Sequence, residues 1–308
     1  MPIPVCAHGD YAAFAAVRAA RVDAIVRRVM AGDGIPGIAI GIARDGVTVY
    51  ARGYGYRDAR RRMQACDTTM FPIGSLTKSF TAALVRMRLQ PDAPLARYVP
   101  DYPNAKDITI DELLRDTAGI PDFADAPGFD RASIAAVTPE RLVAQTAAMP
   151  AAFAPGSATA YSNGDYLLAA YALQRSGVPV ARAMRDACFA PLGMRRTVVS
   201  GTIGFGTADV DSTAGDMLAW YGALEAGDRF PRPRYLPPYA DGFFDGAMFG
   251  RRALWAAGYV AGYSSYGAIL PDDRTAVVVL ADADAVTLAP LAQSLVAIAL
   301  DIREDAPH

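Results

Sequence analysis

Histidine is almost missing from this chain. Its two copies, His8 and His308, stand at the two ends, where order is least expected. Without an interior histidine, a Ser-His-Asp triad, a Cys-His pair and a histidine-rich metal centre are excluded. Cysteine is nearly as scarce. Cys6, Cys66 and Cys188 are odd in number and show neither a C-x-x-C nor zinc-ligand spacing, so free thiols in a reducing compartment are expected. An excess of positive charge is also lacking: 30 basic residues face 32 acidic ones, for a net charge of −2. That balance excludes the electrostatic footprint of a nucleic-acid binder. Long apolar runs are absent too. Residues 288–302 are interrupted by Pro290, Gln293 and Ser294, too short and mixed a stretch to span a bilayer. The apolar residues 11–17 follow Asp10 rather than a basic segment, which does not read as an export signal. A cytoplasmic location, no membrane or nucleic-acid partner, no metal and no cofactor are the expectations. Assembly state carries no sequence signature here.

What is present is enough to fold. With 308 residues, 52% of them hydrophobic and 20% charged, the chain can bury a sizeable core and is not disordered. Residues 11–30 have the spacing of an amphipathic helix. Residues 37–43 and 47–52 read as strands joined by the turn Arg44-Asp45-Gly46, and 263–270 and 275–281 as strands around Pro271-Asp272-Asp273-Arg274. Between them the pattern is helical, at 110–115, 139–148, 165–174, 180–188 and 213–224. Four prolines in residues 231–238 mark a crossing loop, and a last helix is expected near 288–302. The fold class is therefore α+β: one antiparallel sheet built from both chain ends and flanked by the first and last helices, with an all-helical lobe inserted. Residues 1–70 and 240–308 form the sheet lobe in this reading and 71–239 the helical lobe. The junction is the default place for a pocket.

Lysine usage points to the chemistry. Of the 30 basic residues only Lys78 and Lys106 are lysine. Lysine can lose its proton near neutral pH when buried, and arginine cannot. Lys106 sits in the polar stretch Pro103-Asn104-Ala105-Lys106-Asp107 and reads as a surface charge. Lys78 closes Ser75-Leu76-Thr77-Lys78, an S-x-x-K at the start of a helix just after Gly74. Residues three apart on a helix share a face, so a neutral Lys78 would reach the Ser75 hydroxyl and make it a nucleophile. Tyr161-Ser162-Asn163 supplies a second element, Y-x-N. Its tyrosine could relay a proton, and its Asn163 amide could bond both Lys78 and a substrate carbonyl. With 11 Ser, 15 Tyr, two Lys and two Asn in the chain, both spacings arise together by chance at roughly 0.7%.

Ser75-x-x-Lys78 with Tyr161-x-Asn163 resembles the serine β-lactamase and penicillin-binding-protein superfamily, in its class C β-lactamase-like branch. That branch also holds D-stereospecific peptidases, family VIII carboxylesterases and acyltransferases. The similarity runs along nearly the whole chain, including Leu95-Ala96-Arg97-Tyr98-Val99-Pro100, Pro191-Leu192-Gly193-Met194 and Ser212-Thr213-Ala214-Gly215-Asp216. It implies a β-lactamase/transpeptidase-like fold and an acyl-enzyme on Ser75, assisted by Lys78 and Tyr161. It also implies an oxyanion hole from the backbone N–H groups of Ser75 and of Tyr259, which follows Gly258. Two departures stand out. The family's third motif, Lys-Thr-Gly or His-x-Gly, corresponds to Trp255-Ala256-Ala257-Gly258, with Ala256 at the cationic position. Trp255 then becomes a substrate-binding candidate, as in some esterases of the family, and Arg251 or Arg252 a candidate replacement for the cation. The span from Tyr161 to Gly258 is also short for a class C β-lactamase. The resulting expectation is a serine hydrolase of small esters or amides, with esterase ahead of β-lactamase and D-stereospecific peptidase. An acyltransferase and a catalytically silent ligand-binding homologue are the other readings.

Overall fold

The computed structural model describes residues 3–9, 11, 14–58, 63–129, 137–201 and 204–302. His308 lies outside them. The strands are β1 (Val5–Cys6), β2 (Gly37–Arg44), β3 (Val47–Asp58), β4 (Met63–Gln64), β5 (Phe71–Pro72), β6 (Val198–Val199), β7 (Val210–Ser212), β8 (Tyr239–Ala240), β9 (Phe243–Met248), β10 (Arg251–Val260), β11 (Tyr263–Leu270) and β12 (Thr275–Ala281). The helices are α1 (Ala16–Asp33), α2 (Lys78–Arg88), α3 (Ile110–Leu114), α4 (Pro139–Ala147), α5 (Asn163–Arg175), α6 (Val180–Ala183), α7 (Ala214–Ala226) and α8 (Ala289–Leu300).

Nine strands form an antiparallel sheet in the order β1-β3-β2-β12-β11-β10-β9-β8, with β4 beside β3. The mixed helix and antiparallel-sheet architecture is thus the one expected from the patterning. The two faces of β2 differ in size, which decides what packs on each. Ile38, Ile40 and Ile42 join Val26 of α1 and Leu295 of α8 in one core. On the opposite face stand Ala39, Gly41 and Ala43, and a methyl group on Gly41 would come 2.9 Å from a Leu218 methyl. Small residues there admit α7 close to the sheet, so 214–226 packs on strands with one face while its Trp220 stacks on Phe80 of α2 with another. Helix α1 starts five residues later than its periodicity suggests and ends at Gly34, whose left-handed conformation (φ 67°) closes it against the Met30 carbonyl.

The cysteine expectation is corrected: Cys6 and Cys66 form a disulfide, and only Cys188 is free. The cause is tertiary. β1 lies against β3 with Cys6 opposite Gly53, and a side chain at Gly53 would collide with the backbone of Ala65 and Cys66 at 2.4 Å. That missing side chain brings two cysteines 60 residues apart in sequence into bonding range. Cys188 is buried, which pushes its thiol up to about 12 and leaves it inert. His8 does not enter any catalytic group. Its backbone N–H and ring Nδ1 meet the Asp67 carboxylate at 3.1 and 2.8 Å, tying the first strand to the loop after β4. Among the described residues no helix is long and apolar enough to cross a membrane.

Candidate active site

Ser75 sits where three elements converge. It lies in a 3-10 turn, Gly74–Thr77, that runs directly into α2. In a 3-10 turn residues i and i+3 eclipse, so Ser75 and Lys78 are closer than a regular α-helix would bring them. The expected all-helical lobe contains a small second sheet, β5-β7-β6, and the turn is clamped both to it and to the nine-stranded sheet. The Ile73 N–H donates to the Val210 carbonyl (3.0 Å), the Ser265 hydroxyl to the Ile73 carbonyl (2.7 Å), and the Val210 N–H to the Thr77 hydroxyl (3.3 Å).

The four residues of the two motifs meet. Lys78 is fully buried, and its Nζ donates to Ser75 Oγ (3.0 Å), Asn163 Oδ1 (2.7 Å) and the Thr207 carbonyl (3.4 Å). Tyr161 donates its hydroxyl to the same Ser75 Oγ at 2.7 Å. Asn163 opens α5, two residues earlier than the sequence pattern suggests, because Ser162 caps that helix through the Gly164 N–H (3.0 Å). The Asn163 side chain lines the cleft, and its Nδ2 donates to both oxygens of Asp122, at 3.1 and 2.8 Å. Asp122 and Thr207 belong to neither motif and are joined to the site only by the fold. The Thr207 carbonyl is presented by a turn containing Gly204 and Gly206, both at positive φ, which is the one local signal available.

Electrostatics divide the roles. Burial lowers the Lys78 ammonium to about 8, although the carboxyl groups of Asp116, Asp122 and Asp209 pull the other way. About a tenth of Lys78 is then neutral at pH 7. Burial acts on the same carboxyls: Asp116 is pushed well above the usual carboxylate range and Asp209 up to about 6. Burial also raises the Tyr161 phenol above its ordinary value, and Asp116 and Asp122 add to that. Although 36% of the Tyr161 surface is open, its hydroxyl points inward onto Ser75. Lys78 Nζ lies 4.9 Å over the Tyr161 ring, yet desolvation outweighs it, so Tyr161 is a neutral donor rather than a phenolate.

The third-motif strand approaches from the other side. A methyl group on Gly258 would fall 2.3 Å from the Ile73 carbonyl oxygen and 2.9 Å from the Ser75 nitrogen, and one on Gly74 (φ 52°) would fall 2.8 Å from the Tyr259 nitrogen. The strand carrying Tyr259 is thereby held against the backbone of Gly74 and Ser75. Gly258→Ala is expected to push β10 away and lower turnover about 10²- to 10³-fold, the loss typical of one oxyanion donor, while leaving a cooperative melt. Steady-state rates and a circular-dichroism melt on the variant check this; wild-type turnover would show that the approach does not matter.

Two expectations about this strand are corrected. Trp255 does not line the cleft; it is stacked between Phe244 (4.4 Å) and Tyr266 (5.9 Å). Neither arginine replaces the missing cation. Arg251 pairs with Asp273, and Arg252 lies over the Tyr235 ring at 4.5 Å. Ala256, the residue expected at the cationic position, is buried in the core. The cleft holds about 270 Å³ and is walled by Phe123, Phe129, Tyr161, Phe244, Ala257 and Tyr259; among the described residues no charged side chain lines it.

Comparison with known proteins places the chain and its fold. The chain is similar to a D-aminopeptidase of Gluconobacter oxydans (25% identity over 307 residues, 85% of this chain and 58% of the relative). It is also similar to esterase EstB of Burkholderia gladioli (31% over 209 residues, 59% of this chain and 51% of the relative). It thus spans between half and three-fifths of the length of these relatives. Its fold matches that of D-amino acid amidase from Ochrobactrum anthropi, with a TM-score of 0.82 at 19% identity over 94% of this chain and all of the other. The family model described as Beta-lactamase matches residues 22–299, the span that carries every strand of the sheet but β1 together with both motifs, and so the chain belongs to the Beta-lactamase family.

Proposed function

We propose that this chain is a serine hydrolase that cleaves small uncharged esters through an acyl intermediate on Ser75. One observation carries the reading: a single hydroxyl oxygen, Ser75 Oγ, accepts hydrogen bonds from both Lys78 and Tyr161 at the edge of an aromatic-walled cleft that no charged side chain lines among the described residues. Neutral Lys78 takes the Ser75 proton as Oγ attacks the ester carbonyl. The oxyanion forms against the N–H groups of Ser75 and Tyr259, where two donors in a dry site are worth about 3–4 kcal/mol each. Tyr161, a neutral phenol, donates its proton to the departing alkoxide and regains one from the Lys78 ammonium. Water then attacks the acyl carbon, and the same groups return the proton to Ser75.

The ester preference rests on Ala256 and on the positions of Arg251 and Arg252. A carboxylate-bearing β-lactam entering this cleft meets aromatic rings and alanines, and among the described residues no cationic side chain lines the cleft to offset its desolvation. A charge-assisted hydrogen bond to such a cation is worth about 1.5–3 kcal/mol, roughly ten- to a hundredfold. On one preparation, kcat/KM for p-nitrophenyl acetate and butyrate is expected to exceed that for nitrocefin by at least about tenfold. Nitrocefin turning over faster than both esters would put a β-lactamase first. The likeness to a D-aminopeptidase favours amide cleavage as a second reading. D-alanine p-nitroanilide in the same assay separates the two.

The Cys6–Cys66 disulfide supports an oxidising compartment rather than the cytoplasm, because such bonds are kept reduced where glutathione and thioredoxin act.

A further inference from the structure

We infer that Asp122 is a positioning residue for this reaction: it locks the Asn163 amide with its carbonyl oxygen toward Lys78, and thereby aims the Lys78 lone pair at Ser75. The inference rests on the hydrolase reading above. An asparagine amide has two orientations related by a half-turn, which exchange an acceptor for a donor. Between Lys78 and Asp122 only one of them satisfies both neighbours. Oδ1 accepts from Lys78 Nζ at 2.7 Å while Nδ2 donates to the two Asp122 oxygens at 3.1 and 2.8 Å. The flipped amide would set a carbonyl against a carboxylate and an NH₂ against the lysine nitrogen. Asp122 is itself anchored: its Oδ1 accepts from the Ala124 N–H at 2.9 Å, capping the short turn Phe123–Asp125.

The consequence falls on the base. A neutral lysine has two N–H groups and one lone pair. With acceptors at Asn163 Oδ1 and the Thr207 carbonyl, both N–H groups are committed and the lone pair is left for the third neighbour, Ser75 Oγ at 3.0 Å. A flipped Asn163 would instead donate its own N–H to that lone pair and compete with the serine proton. Asp122 also adds one negative charge near Lys78, which otherwise faces Asp116, Asp209 and the rings of Tyr161 and Tyr166.

Composition makes the test direct, since the chain has two lysines and two asparagines. Labelling with [ε-¹³C]lysine and side-chain [¹⁵N]asparagine yields one informative signal of each kind, with Lys106 and Asn104 as internal references. The wild type is compared with Asp122→Asn, which can still accept from the Ala124 N–H, and with Asp122→Glu. Lys78 is expected to titrate near 8 in the wild type and lower by about half a unit or more in Asp122→Asn, with Lys106 unmoved. The Asn163 NH₂ signals should shift, and kcat on p-nitrophenyl butyrate should fall about ten- to a hundredfold with little change in KM. Asp122→Glu should restore the titration and part of kcat. Unchanged Lys78 and Asn163 signals in Asp122→Asn overturn the inference, as does a fall in kcat without any change in those signals. The spectra need no turnover. A wild type that neither hydrolyses esters nor labels at Ser75 with a fluorophosphonate therefore removes the hydrolase reading, while the titration still decides the role of Asp122.

Discussion

Ser75→Ala is expected to lower ester turnover by about four orders of magnitude or more and to abolish covalent labelling by a fluorophosphonate, while the melting temperature stays within a few degrees of wild type. The rate loss follows from the single oxygen on which the arrangement converges: Lys78 and Tyr161 both direct their hydrogen bonds to Ser75 Oγ. Removing a nucleophile that works as part of such a unit forfeits nearly all of the covalent route, leaving only binding and oxyanion stabilisation. The fold should tolerate the change. After the substitution Lys78 keeps Asn163 Oδ1 and the Thr207 carbonyl as acceptors, and the Tyr161 hydroxyl is left at the cleft, where water can replace the serine. Rates on p-nitrophenyl butyrate, intact mass after labelling and a thermal melt test all three parts. An alanine variant as fast as wild type would show that Ser75 is not the nucleophile.

Lys78→Arg should be nearly as inactive as Lys78→Met, with both down by about three orders of magnitude or more. A base must offer a neutral form. Burial brings Lys78 to about 8, whereas a guanidinium stays protonated above about 12. The wild-type rate should accordingly rise with pH through an acid limb near 8. The same lowered value makes a stability statement of unusual sign. Between about 8 and 10.5 the unfolded chain holds a proton that the folded chain has lost, so wild-type stability should rise with pH across that window. Below it, the buried ammonium opposes folding by about 3 kcal/mol. Lys78→Met removes that penalty and should melt higher than wild type at pH 7 while losing turnover, a trade of stability against function. Melts of the two proteins at pH 7 and pH 10 should converge as the lysine neutralises. Substantial turnover in Lys78→Arg would show that position 78 supplies only fixed charge.

The hairpin pattern of the last two sheet strands is local, and 263–270 and 275–281 are strands in the structure with those same bounds. The strand pairs at 37–44 and 47–58 are legible for the same reason, since a turn and a period-two pattern lie within a few residues of each other. Strands β1, β8 and β9 carry no such signal: they are short or hold mixed residues, and their pairing partners, not their own composition, make them extended.

The site divides in the same way. Ser75 and Lys78 are one helical turn apart, and Tyr161 and Asn163 flank one residue, so each pair was visible as a spacing. Ala256 was visible as a charge missing from its expected place. The amino-acid sequence by itself determined the chemistry on offer: a serine and a lysine in one turn, no interior histidine, and no lysine or histidine in Trp255-Ala256-Ala257-Gly258. Tertiary structure decided how that chemistry is set. It brought Asp122 to within 2.8 Å of Asn163 across 41 residues, placed Thr207 behind Lys78 and paired Cys6 with Cys66. It also turned Trp255 away from the cleft and moved Lys78 and Tyr161 in opposite directions from their ordinary ionisation. The physical reason is common to all five. Burial and contact between segments distant in the chain are properties of the packed whole, and no window of sequence contains both partners.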